Sequence, residues 1–184
     1  MIILRCSFGI CFWGTEALVR WNYKNKELLP PYRFIPYFEK DATIDKIDDL
    51  VLKKICETMS RWKREGKPLY PVSVNLSRMR MNDENLIDKL TDMVDSYGVD
   101  HNLIDFELTE SASYDNMERM LLVLRKLRER GFKISMDDFG TGYSSLSLLT
   151  QMPIDQLRDL GCEIIQGYYY SKPIPIAEYE EKYL

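Results

Sequence analysis

The chain has 184 residues, 45% of them apolar and 29% charged, and 25 Lys and Arg against 29 Asp and Glu give a net charge of −4. Such a composition describes a folded domain and excludes a fibrous or disordered chain, since only nine Gly and eight Pro are present. The acidic balance argues against binding to a DNA or RNA polymer, and no stretch approaches the roughly 18 apolar residues of a membrane helix.

The start, residues 1–13, is apolar but interrupted by Arg5, Ser7 and Gly9. It has no small-residue cleavage site, so no signal peptide is expected. Residues 44–65 place Ile47, Leu50, Val51, Ile55, Met59 and Trp62 at helical spacing, and Gly66 with Pro68 stops the run. The segment 71–76, PVSVNL, is a short strand. A second amphipathic helix over 83–97 rests on Leu86, Leu90, Met93, Val94 and Tyr97 and ends at Gly98. Residues 103–109 form a strand. Asp115 begins a third helix, with Glu118 three residues on as in a capping box. Its apolar face is Met117, Met120, Leu121, Leu124 and Leu127, and Gly131 ends it. Phe132, Ile134 and Met136 alternate on the next strand. A short helix is expected at 144–151 and a last strand at 164–170.

This order of strands and helices means βα units and a mainly parallel sheet in one domain, 1–184. A (β/α)₈ barrel is the leading architecture, yet the chain is about 66 residues short of the ~250 typical of one. Either the sheet is open or the barrel is incomplete.

Four cysteines, Cys6, Cys11, Cys56 and Cys162, show no C-x-x-C spacing, and His101 is the sole histidine. Zinc ligation by Cys and His and a nucleophile–histidine triad are therefore poor candidates. Reduced thiols fit a cytoplasmic protein, and His101, in a polar loop, is predicted to be exposed. Carboxylates offer better chemistry. Glu16, Asn75, Glu107, Glu110, Asp137 and Asp138 all fall where strands should end, which in a βα barrel is one rim. Acidic residues also end strands merely by starting turns or capping helices. The convergence of four strand ends is what points to a site. Oxygen ligands in that number suit Mg²⁺ or Mn²⁺.

The motifs GTEALVRW (14–21), PPYRFIPYFEK (30–40), VNLS (74–77), FELTES (106–111), DDFGTGYSSLSLL (137–149), MPID (152–155) and LGCEIIQGYYYSKPIP (160–175) stand in one order along the chain. With them the chain resembles the EAL domain family of cyclic di-GMP phosphodiesterases. The resemblance implies an EAL-type modified (β/α)₈ TIM barrel that hydrolyses cyclic di-GMP to pGpG with Mg²⁺ or Mn²⁺. It makes Glu16, Asn75, Glu107 and Asp137 metal ligands, with Asp138 serving a second metal and the chemistry. Glu110 would hold the 137–143 loop beside the reacting groups. Leu18 and Arg20 would bind substrate, Arg20 through a phosphate, and Gln166 would lie on the same rim. It also implies a bacterial cytoplasmic setting and a homodimer.

One departure from the family is large. After MPID the family continues through a Leu-Lys-Ile-Asp strand, a long helix and a strand bearing Ala-Glu-Gly-Val-Glu. Here Asp155 runs through residues 156–159 directly into Leu160, Gly161 and Cys162. The junction falls near 155–158, and Arg158 belongs to the family's later helix rather than to the lysine's place. The catalytic lysine and the general-base glutamate are thereby absent. The family's first strand, with its Tyr-Gln-Pro-Ile sequence, has no counterpart before Ile2. The expected fold is an incomplete or opened barrel lacking about two strands and a helix. Three functions compete: an impaired phosphodiesterase, an inactive cyclic di-GMP-binding or protein-interaction module, and a poorly folding remnant.

Overall fold

Alternation along the middle strands sets the architecture. The structure, a computed structural model, describes residues 2–8, 12–24, 27–41, 43–109, 117–137 and 174–183. In chain order these form β1 (Ile2–Phe8), β2 (Phe12–Val19), β3 (Trp21–Tyr23), β4 (Glu27–Leu29), α1 (Ile35–Lys40), α2 (Ile44–Arg64), β5 (Val72–Asn75), α3 (Leu86–Ser96), β6 (Ile104–Thr109), α4 (Met117–Glu129), β7 (Lys133–Asp137), β8 (Ile174–Pro175) and α5 (Ile176–Tyr183). Among the described residues one six-stranded sheet has the order β7-β6-β5-β2-β1-β8, and β3 pairs with β4 in a separate hairpin. β2, β5, β6 and β7 are mutually parallel, whereas β1 runs antiparallel to both β2 and β8. The parallel βα arrangement expected from the sequence is thus present, and the described sheet does not close on itself.

One face of the parallel strands is apolar. Ala17, Val72, Val74, Ile104, Phe106, Leu108 and Ile134 pack into a single core with Val51, Leu52, Ile55, Met59 and Trp62 of α2, Leu86, Leu90 and Val94 of α3, and Met120, Leu124 and Leu127 of α4. Helices on one face force every second strand residue toward them, so the intervening residues stand on the other face.

Both long helices end in the same way. Lys67 N–H donates to Trp62 O at 3.0 Å and Gly66 N–H to Lys63 O at 3.2 Å, with Gly66 at φ +70°. Phe132 N–H donates to Leu127 O at 3.2 Å and Gly131 N–H to Arg128 O at 2.8 Å, with Gly131 at φ +92°. These are Schellman closures, which need a left-handed residue that glycine supplies without a Cβ penalty.

The end of the described chain returns to its beginning. β8 pairs with β1 through Ile3–Pro175 and Leu4–Ile174. From α5, Glu180 accepts hydrogen bonds from Trp62 Nε1, at 3.0 Å, and from the Arg61 guanidinium, and Lys67 lies 3.6 Å away.

Some expectations change. Leu50 is exposed rather than part of the α2 core stripe. At 100° per residue it lies about 160° from the centre of the Val51–Leu52–Ile55–Met59 face, and Leu52 and Cys56 are buried there. Burial also pushes the Cys56 thiol up to about 12, so it is inert packing. Residues 2–8 form a strand that the interrupted apolar run did not disclose. His101 is half-buried, not exposed: its ring stacks on Phe132 with centroids 4.4 Å apart, and Nε2 lies 2.7 Å from Asp95. The expected helix start at Asp115, the helix at 144–151 and the strand at 164–170 lie outside the described residues.

Phe106 is fully buried between sheet and helices, so Phe106→Ala is expected to lower the unfolding free energy by about 3–5 kcal/mol. Leu50→Ala should change it by less than about 0.5 kcal/mol. Urea unfolding of both variants checks this assignment, and equal effects would displace Phe106 from the core.

Candidate functional site

The polar face of the sheet carries the candidate residues. Glu16 on β2 is in register with Ser73 on β5, and Ser73 with Asp105 on β6. Two residues further along, Asn75 is in register with Glu107, and Glu107 with Ser135 on β7. Two further again, Thr109 is in register with Asp137. Glu16, Asn75, Glu107 and Asp137 therefore climb by four ladder positions over three strand-to-strand steps. A closed eight-stranded barrel of shear 8 climbs by about one per strand. Once the strands tilt as they do in a barrel, these four positions come to nearly one height on its axis. The register sets these four positions on one face of four adjacent parallel strands.

Burial differs among them. Glu107 is 2% and Glu16 5% exposed, whereas Asn75 is exposed at the end of β5. Leu18 is half-buried on β2, and Arg20 follows the strand with Nη1 donating to Val19 O at 2.8 Å. Trp21, the next residue, packs edge-on against Phe34 at 5.7 Å and leans on Phe38 at 5.9 Å, which anchors the end of β2. Asp137 is the last residue of β7. Its side chain lies outside the described set, as do Glu110, Asp138, Gln166 and Arg158 altogether.

A further acid stands on this face. Asp105 is 5% exposed, two residues before Glu107, and accepts a hydrogen bond from Ser73 Oγ at 3.1 Å. Burial raises its carboxyl above the usual range, while the Ser73 and Ser135 hydroxyls act in the opposite direction. Ser73, Asp105 and Ser135 are not marked by the strand-end pattern, and Glu16 and Glu107 themselves lie within β2 and β6 rather than at their ends. Their signal was the strict alternation in Val72-Ser73-Val74-Asn75 and Ile104-Asp105-Phe106-Glu107.

The turn after Asn75 is held from two sides. Leu76 N–H donates to Glu107 O at 2.9 Å, and Ser77 N–H to Asp48 Oδ2 at 2.9 Å. Asp48 belongs to α2, and desolvation pushes its carboxyl from 3.8 to about 7 against the Ser77 hydrogen bond and the charge of Arg80. Arg80 itself is buried and reaches Asp49 at 2.7 Å.

The oxygen donors on this face are of the type that hard divalent cations take. Buried carboxylates on one face are costly unless positive charge or hydrogen bonds meet them, and hard cations take oxygen ligands. Among the described residues no three Asp, Glu, His or Cys side chains converge closely enough to hold a metal by themselves. The described donors are Glu16, Asn75 and Glu107, and Asp137 and Asp138 follow on the adjacent strand and beyond it.

Because Asp48 binds a proton more readily in the folded state, its contribution to stability is fully present below about pH 4. That contribution is lost as pH rises toward 7. Asp48→Asn keeps an acceptor for Ser77 and removes the buried charge. The variant is expected to be more stable than the parent by about 1–3 kcal/mol at pH 8, with the gap closing toward pH 4. Chemical unfolding at both pH values checks it, and a pH-independent difference would contradict the assignment.

The EAL domain family model matches residues 12–158. Cyclic di-GMP phosphodiesterase NbdA of Pseudomonas aeruginosa is 30% identical over 214 aligned residues, covering 90% of this chain and 27% of that protein. Cyclic di-GMP phosphodiesterase PdeR of Escherichia coli is 36% identical over 145 residues, 79% of this chain and 22% of that protein. This chain thus spans about a quarter of the length of these curated relatives. Among solved structures, a PaMucR phosphodiesterase in complex with c-di-GMP superposes with TM-score 0.78 at 25% identity, over 97% of this chain and 93% of that one. The Bd1971 EAL enzyme bound to cAMP and cyclic di-GMP gives TM-score 0.80 at 22% identity, over 98% and 64%. Motif order, parallel-strand register and these matches agree: the chain belongs to the EAL domain family, with the α/β fold of an incomplete EAL-type TIM barrel.

Proposed function

We propose that this chain is a cyclic di-GMP-binding EAL domain whose hydrolytic step is impaired. EAL phosphodiesterases are metal-dependent. The observation that supports the reading is the register that sets Glu16, Asn75, Glu107 and Asp137 on one face of four adjacent parallel strands.

In this reading Glu16, Asn75 and Glu107, with Asp137 and Asp138, hold Mg²⁺ or Mn²⁺. When bound, such a cation neutralises charge on the scissile phosphate and makes water a better nucleophile. Arg20, at the exit of β2, supplies a charge-assisted hydrogen bond to a phosphate oxygen. Leu18 offers an apolar surface to the nucleotide, Gln166 a polar contact on the rim, and Glu110 steadies the loop after β7.

Impairment follows from what the sequence lacks. Between Asp155 and Leu160 there is no lysine and no glutamate to move a proton from water. Arg158 stays charged and does not exchange a proton at neutral pH. The NbdA alignment supports a missing internal span: 214 aligned positions cover only 90% of 184 residues, about 166. The family match also ends at residue 158. Loss of a positioned base costs about 10²–10⁴-fold in rate.

The test is titration of cyclic di-GMP into the purified chain with Mn²⁺ present, with product analysis of the same samples. Saturable binding without pGpG is expected. Arg20→Ala should weaken binding by about 10-fold or more, the worth of a hydrogen bond to a charged group. Production of pGpG that Glu16→Ala abolishes would show that another group supplies the base, and the impaired reading would fall. Absence of any binding by folded protein would leave the chain an interaction module of the same family.

A further inference from the structure

Asp105 Oδ1 and Ser135 Oγ, on the carboxylate face, have no hydrogen-bond partner among the described residues. They belong to neighbouring strands. Asp105 is in register with Lys133, and Ser135, two residues on, is in register with Glu107. The Ser135 hydroxyl thus stands diagonally across from Asp105 on the next strand, and neither atom closes a hydrogen bond with the other. The other Asp105 oxygen is fixed by Ser73, whose own ladder neighbour on the far side is Glu16. Asp105 is 5% exposed, so its free oxygen has no bulk water to turn to. A buried carboxylate oxygen left unsatisfied opposes folding. A water bound by two to four polar groups is the usual remedy.

We infer that Asp105 is a positioning residue of the divalent-cation site: from one row beneath Glu107 it holds a buried water, shared with Ser135, that orients the carboxylates above it. This inference rests on the cation-site reading of the preceding section. Asp105 is not itself placed as a ligand, because it does not close a three-carboxylate cluster with Glu16 and Glu107. Its effect is on the affinity of the site. Outer partners of this kind fix ligand orientation, and their loss costs about 10–100-fold in metal affinity.

Mn²⁺ alone is the probe, counted by its free-ion electron paramagnetic resonance signal during titration of the metal-free full chain. Circular dichroism and a thermal midpoint on each sample report folding. Asp105→Leu is expected to weaken Mn²⁺ binding by about 10–100-fold while the protein stays folded. Asp105→Asn, which keeps the shape and an acceptor oxygen, should restore affinity to within a few-fold of the parent. Ser135→Ala should weaken it in the same direction by less than Asp105→Leu does. Should Asp105→Leu fail to fold, Ser135→Ala decides: an unchanged Mn²⁺ affinity there overturns the inference. Parental affinity in a folded Asp105→Leu variant overturns it directly and leaves the cation site standing. A folded parent that binds no Mn²⁺ overturns both.

Discussion

The pairing register of four parallel strands is the constraint on which the rest of the structure depends. β5 and β6 alternate strictly between apolar and polar residues, and α2, α3 and α4 cover the apolar side. A slip of one residue in β6 would turn Phe106 toward the carboxylate face and drive Glu107 into the packed core. Packing and chemistry are therefore specified by one set of hydrogen bonds. By claiming every second strand residue, the helices dictate where the candidate ligands stand.

The two faces pull in opposite energetic directions. The helix side is satisfied by contact alone. The other side gathers Glu16, Asp105 and Glu107 with almost no exposure. Burying like charges together opposes folding unless something positive or protic meets them. A cation bound there would act on stability as well as on chemistry, since whatever binds only the folded chain favours it by mass action. An ion bound in this way would couple its own affinity to the stability of the fold.

Much of this was legible because period is a local property. The helix over 44–65, the strands at 71–76 and 103–109 and the α4 face all emerged from spacing alone, and the family resemblance rested on contiguous motifs. What escaped depends on neighbours that spacing does not name. Leu50 fits a helical pattern when pairs are matched one at a time, but the angular sum over α2 places it outside. β1 hid because its partner β2 runs antiparallel to it and no strict alternation marked residues 2–8. His101 looked like a loop residue, and only the return of Phe132 gives its ring a face to stack on. Asp105 sits inside β6, where no turn or capping signal in the sequence marks it.

The contacts made by Glu180 carry a topological consequence. Residues 174–183 dock on β1 and on the end of α2, both contributed by the first third of the chain. Such closure is indifferent to the length of chain between β7 and β8. The tail finds its seat as long as the intervening segment can span the distance. A fold sealed in this way tolerates gain or loss of sequence within its last third more readily than one whose consecutive elements must each brace the next.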